Sequence, residues 1–175
     1  MNMGLLHIYC GEGKGKTTAC IGLSVRAAGR GFKVLFVQFL KSRPTGELRS
    51  FELFDNIEVM RGKETTKFTF QMTPEEKQSV LLEHENLFNK VVAKIGSEKI
   101  DLLVLDEVIG ACNTGVFLYS TLLDFLKSKP SELEVAISGR NPSQELIDLA
   151  DYVSEVKMVK HPFKKGIPAR DGIER

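Results

Sequence analysis

The run Cys10-Gly11-Glu12-Gly13-Lys14-Gly15-Lys16-Thr17-Thr18 points to phosphate chemistry near the start of the chain. It follows a short apolar stretch, Leu5-Leu6-His7-Ile8-Tyr9, and precedes a segment with a helical pattern. Strand, glycine-rich loop, Gly-Lys-Thr and helix, in that order, make a phosphate-binding loop. The glycines Gly11, Gly13 and Gly15 let the backbone turn tightly and aim its N–H groups inward, and the helix N-terminus adds partial positive charge. Lys14, Lys16, Thr17 and Thr18 are the polar side chains of that cradle. Lys16 would neutralise phosphate oxygens, and the Thr17 hydroxyl can hold Mg²⁺. The plainer alternative is a glycine-rich turn with solvated lysines.

A second acidic feature lies far downstream. Leu102-Leu103-Val104-Leu105 ends in Asp106-Glu107, the pattern of a Walker-B strand whose acids emerge beside a phosphate loop. Mg²⁺ takes a few carboxylate or hydroxyl oxygens and completes its shell with phosphate and water. Thr17, Glu107 and Asp106 are therefore the candidate metal oxygens, against the alternative of a solvated strand end. Together the two features describe a site for a Mg²⁺-nucleoside triphosphate.

Such a site needs a scaffold, and the rest of the chain reads as one. Residues 34–39 form a continuous apolar run, as in a parallel sheet covered on both faces. Residues 57–60, 135–138 and 152–157 are further strand candidates. Thr73-Pro74-Glu75-Glu76 reads as a helix start with Thr as N-cap, Pro at N1 and Glu closing a capping box. That helix carries Leu81, His84, Phe88, Val91 or Val92, and Ile95 on one stripe and ends at Gly96. Another helix runs through Leu118, Leu122 and Phe125, and Ser143 caps a short one. Repeated strand–helix units predict right-handed crossovers and a mainly parallel sheet, with ligands at the carboxyl ends of the strands. The expected fold is an α/β, three-layer α/β/α sandwich of the P-loop NTPase (RecA-like) type, as a single domain over 1–175.

Composition narrows the function classes. Among 175 residues, 24 Lys and Arg stand against 23 Asp and Glu, so no global field recruits nucleic acid or an anionic membrane. Three scattered cysteines suit neither a disulfide framework nor a zinc site. No apolar run is long enough to span a membrane, and no signal-peptide pattern opens the sequence, so a cytoplasmic location is expected.

Further residues specify the reaction. The loop is followed by Val37-Gln38-Phe39, Thr45-Gly46-Glu47, Phe68-Thr69-Phe70, Leu105-Asp106-Glu107, Ser138-Gly139-Arg140 and Ala150-Asp151-Tyr152-Val153-Ser154-Glu155. The closing run Val159-Lys160-His161-Pro162-Phe163 continues through Gly166-Ile167 to Gly172-Ile173-Glu174. In this order and over essentially the whole chain, the sequence resembles the cob(I)alamin (ATP:corrinoid) adenosyltransferase family. The resemblance implies that the Co(I) of a reduced corrinoid, cobalamin or cobinamide, attacks the 5′ carbon of ATP and expels triphosphate. It implies ATP lying reversed in the loop, held by Gly11 to Thr18 with Mg²⁺ on Thr17 and Glu107. It assigns Phe68 and Phe70 to displacing the lower axial ligand of cobalt. Arg140, after a strand and a glycine, stands where a sheet edge meets ligand and is a candidate phosphate or corrin contact, against the alternative of a surface arginine after a turn. A flavodoxin-like or flavin reductant and a homodimer are also implied.

Three positions depart from the family pattern: Cys10 stands where Thr is usual, Glu12 where Asn is usual, and Phe70 where Trp is usual. The nucleophile arrives with the cofactor, so no histidine is assigned as a base. His7 and His84 read as packed structural residues, and His161 as either a substrate contact or a loop-ordering residue. The rival readings are a conventional P-loop ATPase or kinase acting at the γ-phosphate, and a non-catalytic nucleotide- or corrinoid-binding module.

Overall fold

Apolar runs bounded by turn residues become strands here because both faces of the sheet are covered. The computed structural model describes residues 3–41, 45–62, 67 and 69–174. In chain order the elements are β1 (Leu6–Cys10), α1 (Lys16–Ala28), β2 (Val34–Gln38), α2 (Gly46–Phe51), β3 (Ile57–Arg61), α3 (Pro74–Ser97) and β4 (Leu102–Asp106). They continue as α4 (Val108–Asn113), α5 (Tyr119–Ser128), β5 (Glu134–Ser138), α6 (Gln144–Leu149) and β6 (Tyr152–Glu155). Short 3₁₀ turns cover Thr69–Gln71 and Pro162–Lys165.

The strands form one sheet of order β3-β2-β4-β5-β1-β6, parallel at every pairing. β5 lies between β1, which leads into the phosphate loop, and β4, which ends in Asp106. That arrangement is the RecA-like form of the three-layer P-loop fold. Pairing of Gln38 with Asp106 at the last register position of β2 and β4 brings two polar side chains to the same sheet edge.

Alternation divides the core in two. Leu35, Val37, Leu103, Leu105, Val135 and Ile137 face α3, α4 and α5 on one side. Val34, Phe36, Leu102, Val104 and Ala136 face α1 and α2 on the other, where Phe36 meets Phe51 at 5.0 Å between ring centroids. On the first side Phe88 packs edge-on against Phe117 and Phe125. Burying a ring of this size contributes about 1.5–3 kcal/mol.

The capping box of α3 forms as its sequence predicts: Glu76 N donates to Thr73 Oγ1 at 3.2 Å and Thr73 N to Glu76 Oε2 at 2.8 Å. Its buried stripe is Val80, His84, Leu87, Phe88 and Val91. His84, Phe88 and Val91 lie on the buried face as expected and Ile95 packs against it, while Leu81 is only half-buried and Val92 is exposed. The final strand stops at Glu155 rather than 157, because Val156 turns back onto the phosphate loop. Among the described residues no helix is long and apolar enough to cross a membrane.

Candidate active site

The loop after β1 is braced from behind by the segment leaving β6. Val156 N donates to Cys10 O at 2.8 Å, and Gly13 N donates to Val156 O at 2.7 Å. A Cβ at Gly11 would lie 2.5 Å from Val156 O, and one at Gly13 only 2.7 Å from the same oxygen. These two glycines are therefore required by close backbone approach as well as by the turn itself. Gly15, at φ 130°, hands the chain to α1, whose first residue is Lys16. The first N–H groups of α1 thus open toward the concave side of the loop.

Lys16 is buried, and its ammonium donates to Gly11 O at 2.7 Å and Gly13 O at 3.0 Å. One residue on, Thr17 Oγ1 donates to the Asp106 carboxylate at 3.1 and 3.3 Å. Asp106 is fully buried and answers to two further groups. Ser138 Oγ donates to Oδ1 at 2.7 Å, Lys41 Nζ sits 3.0 Å from Oδ2, and the same ammonium lies 3.1 Å from Glu47 Oε1. Gln38 Nε2 also donates to Glu47, at 3.0 Å. Burial works against the charge on Lys41, but the Asp106 and Glu47 carboxylates outweigh it and its pKa moves up.

Glu107 is placed differently from its neighbour. Its backbone is left-handed (φ 60°), turning the chain sharply from β4 into α4, and its N–H donates to Ser138 Oγ at 2.9 Å. Its carboxyl lines the cleft, whereas Asp106 lies behind the wall. Burial first, and the Asp106 charge second, push the Glu107 pKa up.

The cleft in front of the loop encloses about 1080 Å³. Glu12 to Thr18, Gln38, Lys41, Glu47, Glu107, Arg140 and His161 all contribute to its wall. Arg140 Nη1 is 2.8 Å from Glu12 Oε2, tying the end of β5 to the loop. Lys14 approaches Glu174 at 3.9 Å, and the Arg170 hydrogen bonds hold that carboxyl down near 2.

The wall extends to Gly62, Lys67, Thr69, Met72, Val80, Glu83 and His84. Phe70 sits in the 3₁₀ turn here and is 80% exposed. Phe68 lies outside the described residues. His7 is not part of the cleft wall and pairs with Glu134.

The structure thus gathers Gly11, Gly13, Lys14, Gly15, Lys16, Thr17, Thr18, Asp106, Glu107 and Arg140 around one end of the sheet. It adds residues to which the sequence reading assigned no role: Gln38, Lys41, Glu47 and Ser138. For Gln38, Lys41 and Ser138 the sequence signal is position, at or just beyond the carboxyl end of an apolar strand, whereas Glu47 comes from the first turn of α2.

The donors around Thr17 are hard oxygens, the chemistry Mg²⁺ requires. Among the described residues no group of three His, Cys, Asp or Glu side chains forms a self-sufficient metal cage. An ion here would accordingly be shared with a phosphorylated ligand.

Sheet order, loop and acidic strand end define a protein of the P-loop, RecA-like fold class. A model of the family described as ATP:corrinoid adenosyltransferase BtuR/CobO/CobP matches residues 2–175. The corrinoid adenosyltransferase of Pseudomonas aeruginosa is 33% identical over 172 residues, 98% of this chain and 83% of that protein. The corrinoid adenosyltransferase of Escherichia coli K12 is 31% identical over 173 residues, with 98% and 85% covered. Corrinoid adenosyltransferase CobA of Salmonella typhimurium is 32% identical with the same coverage. The chain belongs to the ATP:corrinoid adenosyltransferase family.

Proposed function

We propose that this chain transfers the 5′-deoxyadenosyl group of ATP to the Co(I) of a reduced corrinoid, with Gly11 to Thr18 holding the triphosphate that leaves. The supporting observation is the braced loop itself: a rigid N–H cradle, a lysine at its centre and a threonine fixed by Asp106. In the reaction the Co(I) electron pair forms the cobalt–carbon bond at C5′ and the C5′–O5′ bond breaks. Its electrons depart with the triphosphate, and cobalt ends two electrons more oxidised.

The protein's part is binding, orientation and charge stabilisation. The Gly15 backbone and the α1 N-terminus face the leaving group, while the Gly13 N–H holds the loop to Val156 O behind it. Lys16 exchanges its two carbonyl partners for phosphate oxygens, and Arg140 and Lys14 supply further positive charge at the rim. Thr17 and Glu107, with Asp106 behind, are the residues to hold Mg²⁺, which would neutralise part of the triphosphate charge. Phe68 and Phe70 are assigned to the corrin's lower face, where excluding an axial ligand makes Co(II) easier to reduce. A reduced flavin or flavodoxin-like protein is the proposed electron donor, and a homodimer the proposed assembly.

The test is product analysis with Mg-ATP and chemically reduced cob(I)alamin without oxygen. A photolabile alkylcobalamin with stoichiometric triphosphate is expected. ADP and phosphate with unchanged corrinoid would instead identify a γ-phosphate ATPase or kinase.

A further inference from the structure

His84 is the one imidazole buried in the cleft wall, 5% exposed, and the phosphate chemistry leaves it unused. It projects from the buried face of α3 between Phe39, whose ring centroid is 5.1 Å away, and the turn before α5. Its Nδ1 lies 2.8 Å from Val116 O. A carbonyl oxygen only accepts, so Nδ1 carries the proton and donates it. Burial favours the neutral ring, outweighing the hydrogen bond to Val116 and the charges of Glu83 and Glu85. Nε2 is then an unprotonated acceptor.

No described residue donates to that nitrogen, and Gly62 keeps the way to it open. A Cβ at Gly62 would sit 3.7 Å from His84 Cδ2 and 4.0 Å from Nε2, so a side chain there would cover this edge of the ring. Gly62, Met72 and Val80 line the cleft beside it. Nε2 is not among the buried side-chain atoms left without a partner, so it opens to the cleft, where water or a ligand donor can satisfy it.

We propose that His84 determines substrate specificity by accepting, at Nε2, a hydrogen bond from a neutral N–H donor of a bound substrate. This rests on reading the cleft as the site of adenosyl transfer. Two substrate groups share that chemistry: a primary amide on the corrin periphery and the exocyclic amine of adenine. Both are neutral and narrow enough to reach a recessed acceptor, and loss of the bond should lower kcat/KM about 3- to 10-fold.

Two substitutions separate this role from packing. In His84→Asn the side-chain amide takes the place of Nδ1–H and can still donate to Val116 O, but nothing replaces Nε2. In His84→Gln the longer amide can present an oxygen near the Nε2 position. The experiment measures KM and kcat for cob(I)inamide at saturating Mg-ATP, for Mg-ATP at saturating cob(I)inamide, and for Mg-purine riboside triphosphate, which lacks the amine. Thermal midpoints are recorded alongside. The proposal expects His84→Asn to raise one KM about 3- to 10-fold with little change in thermal midpoint, and His84→Gln to recover much of the loss.

A corrin amide as donor raises the corrinoid KM alone. The adenine amine raises the ATP KM alone and leaves parent and His84→Asn equal on purine riboside triphosphate. Unchanged KM values in an active His84→Asn, or losses in both variants that merely follow the folded fraction, overturn the inference while the function stands. A parent protein that forms no adenosylated corrinoid overturns both.

Discussion

Replacing Glu12 by Asn should tighten Mg-ATP binding, and Coulomb repulsion together with the Arg140 pair sets the order of the effect. Glu12 places a carboxylate on the phosphate loop, where its Oε2 is 2.8 Å from Arg140 Nη1 at the cleft rim. Both side chains are about half exposed, at 48% and 60%, so water screens the pair. A carboxylate about 8 Å from the roughly two net negative charges of Mg-ATP is repelled by about 1 kcal/mol at the permittivity of water. With a Debye length of about 8 Å at physiological salt, about 0.4 kcal/mol of that survives. Releasing Arg140 from an exposed ion pair so that it can serve phosphate adds about 0.2–1 kcal/mol. The sum, about 0.6–1.4 kcal/mol, is roughly a 3- to 10-fold lower Kd. Titration calorimetry of Mg-ATP into parent, Glu12→Asn, Arg140→Ala and the double variant reads it directly. The gain should shrink in the Arg140→Ala background and at high salt. Unchanged or weaker binding, or a gain indifferent to both Arg140 and salt, would refute the electrostatic argument.

Other perturbations follow from the same geometry. Ser138→Ala removes the hydroxyl that donates to buried Asp106 and accepts from Glu107 N; it should cost about 1–3 kcal/mol in denaturant unfolding and lower turnover. Phe70→Ala removes a ring that is 80% exposed, so stability should stay within about 0.5 kcal/mol and Mg-ATP affinity unchanged. The rate of Co(II) reduction, followed spectrally, should fall; an unaltered rate would remove Phe70 from the corrin step. His84 has its pKa lowered by burial, so its contribution to stability is complete above about pH 6.5 and is lost as pH falls from there toward the depressed value. His84→Asn should therefore lose less stability than the parent between pH 7.5 and 5.5, and equal losses would show that the buried ring is not what titrates.

What was legible in the sequence was what is local. The phosphate loop, the capping box of α3 and the apolar strands each carry their signal within a few residues. The helices Gly46–Phe51 and Val108–Asn113 are six residues each, too short for a stripe to repeat, and α4 begins from a left-handed Glu107 that no propensity favours. The 3₁₀ turn at Thr69–Gln71 was illegible because three residues are too few to express a period. The Lys41–Asp106–Ser138 cluster was illegible for another reason. Its members come from the ends of β2, β4 and β5, and only the sheet order makes those ends neighbours.

That cluster divides the labour of the two acids at the end of β4. A fully buried carboxylate must be compensated, and Asp106 is, by Lys41, Thr17 and Ser138 together. Each hydroxyl spends its single proton on Asp106. The lone pairs of Thr17 Oγ1 are thereby left for a cation at the loop, while Ser138 Oγ accepts the Glu107 N–H. Asp106 therefore orients donors from behind the wall, and the Lys41 ammonium already neutralises much of its charge. Glu107 has no such company: its carboxyl faces the cleft, and burial raises the cost of ionising it there. The acid that orients and the acid that faces the cleft are adjacent in sequence. The left-handed turn at Glu107 is what sends them to opposite sides of the wall.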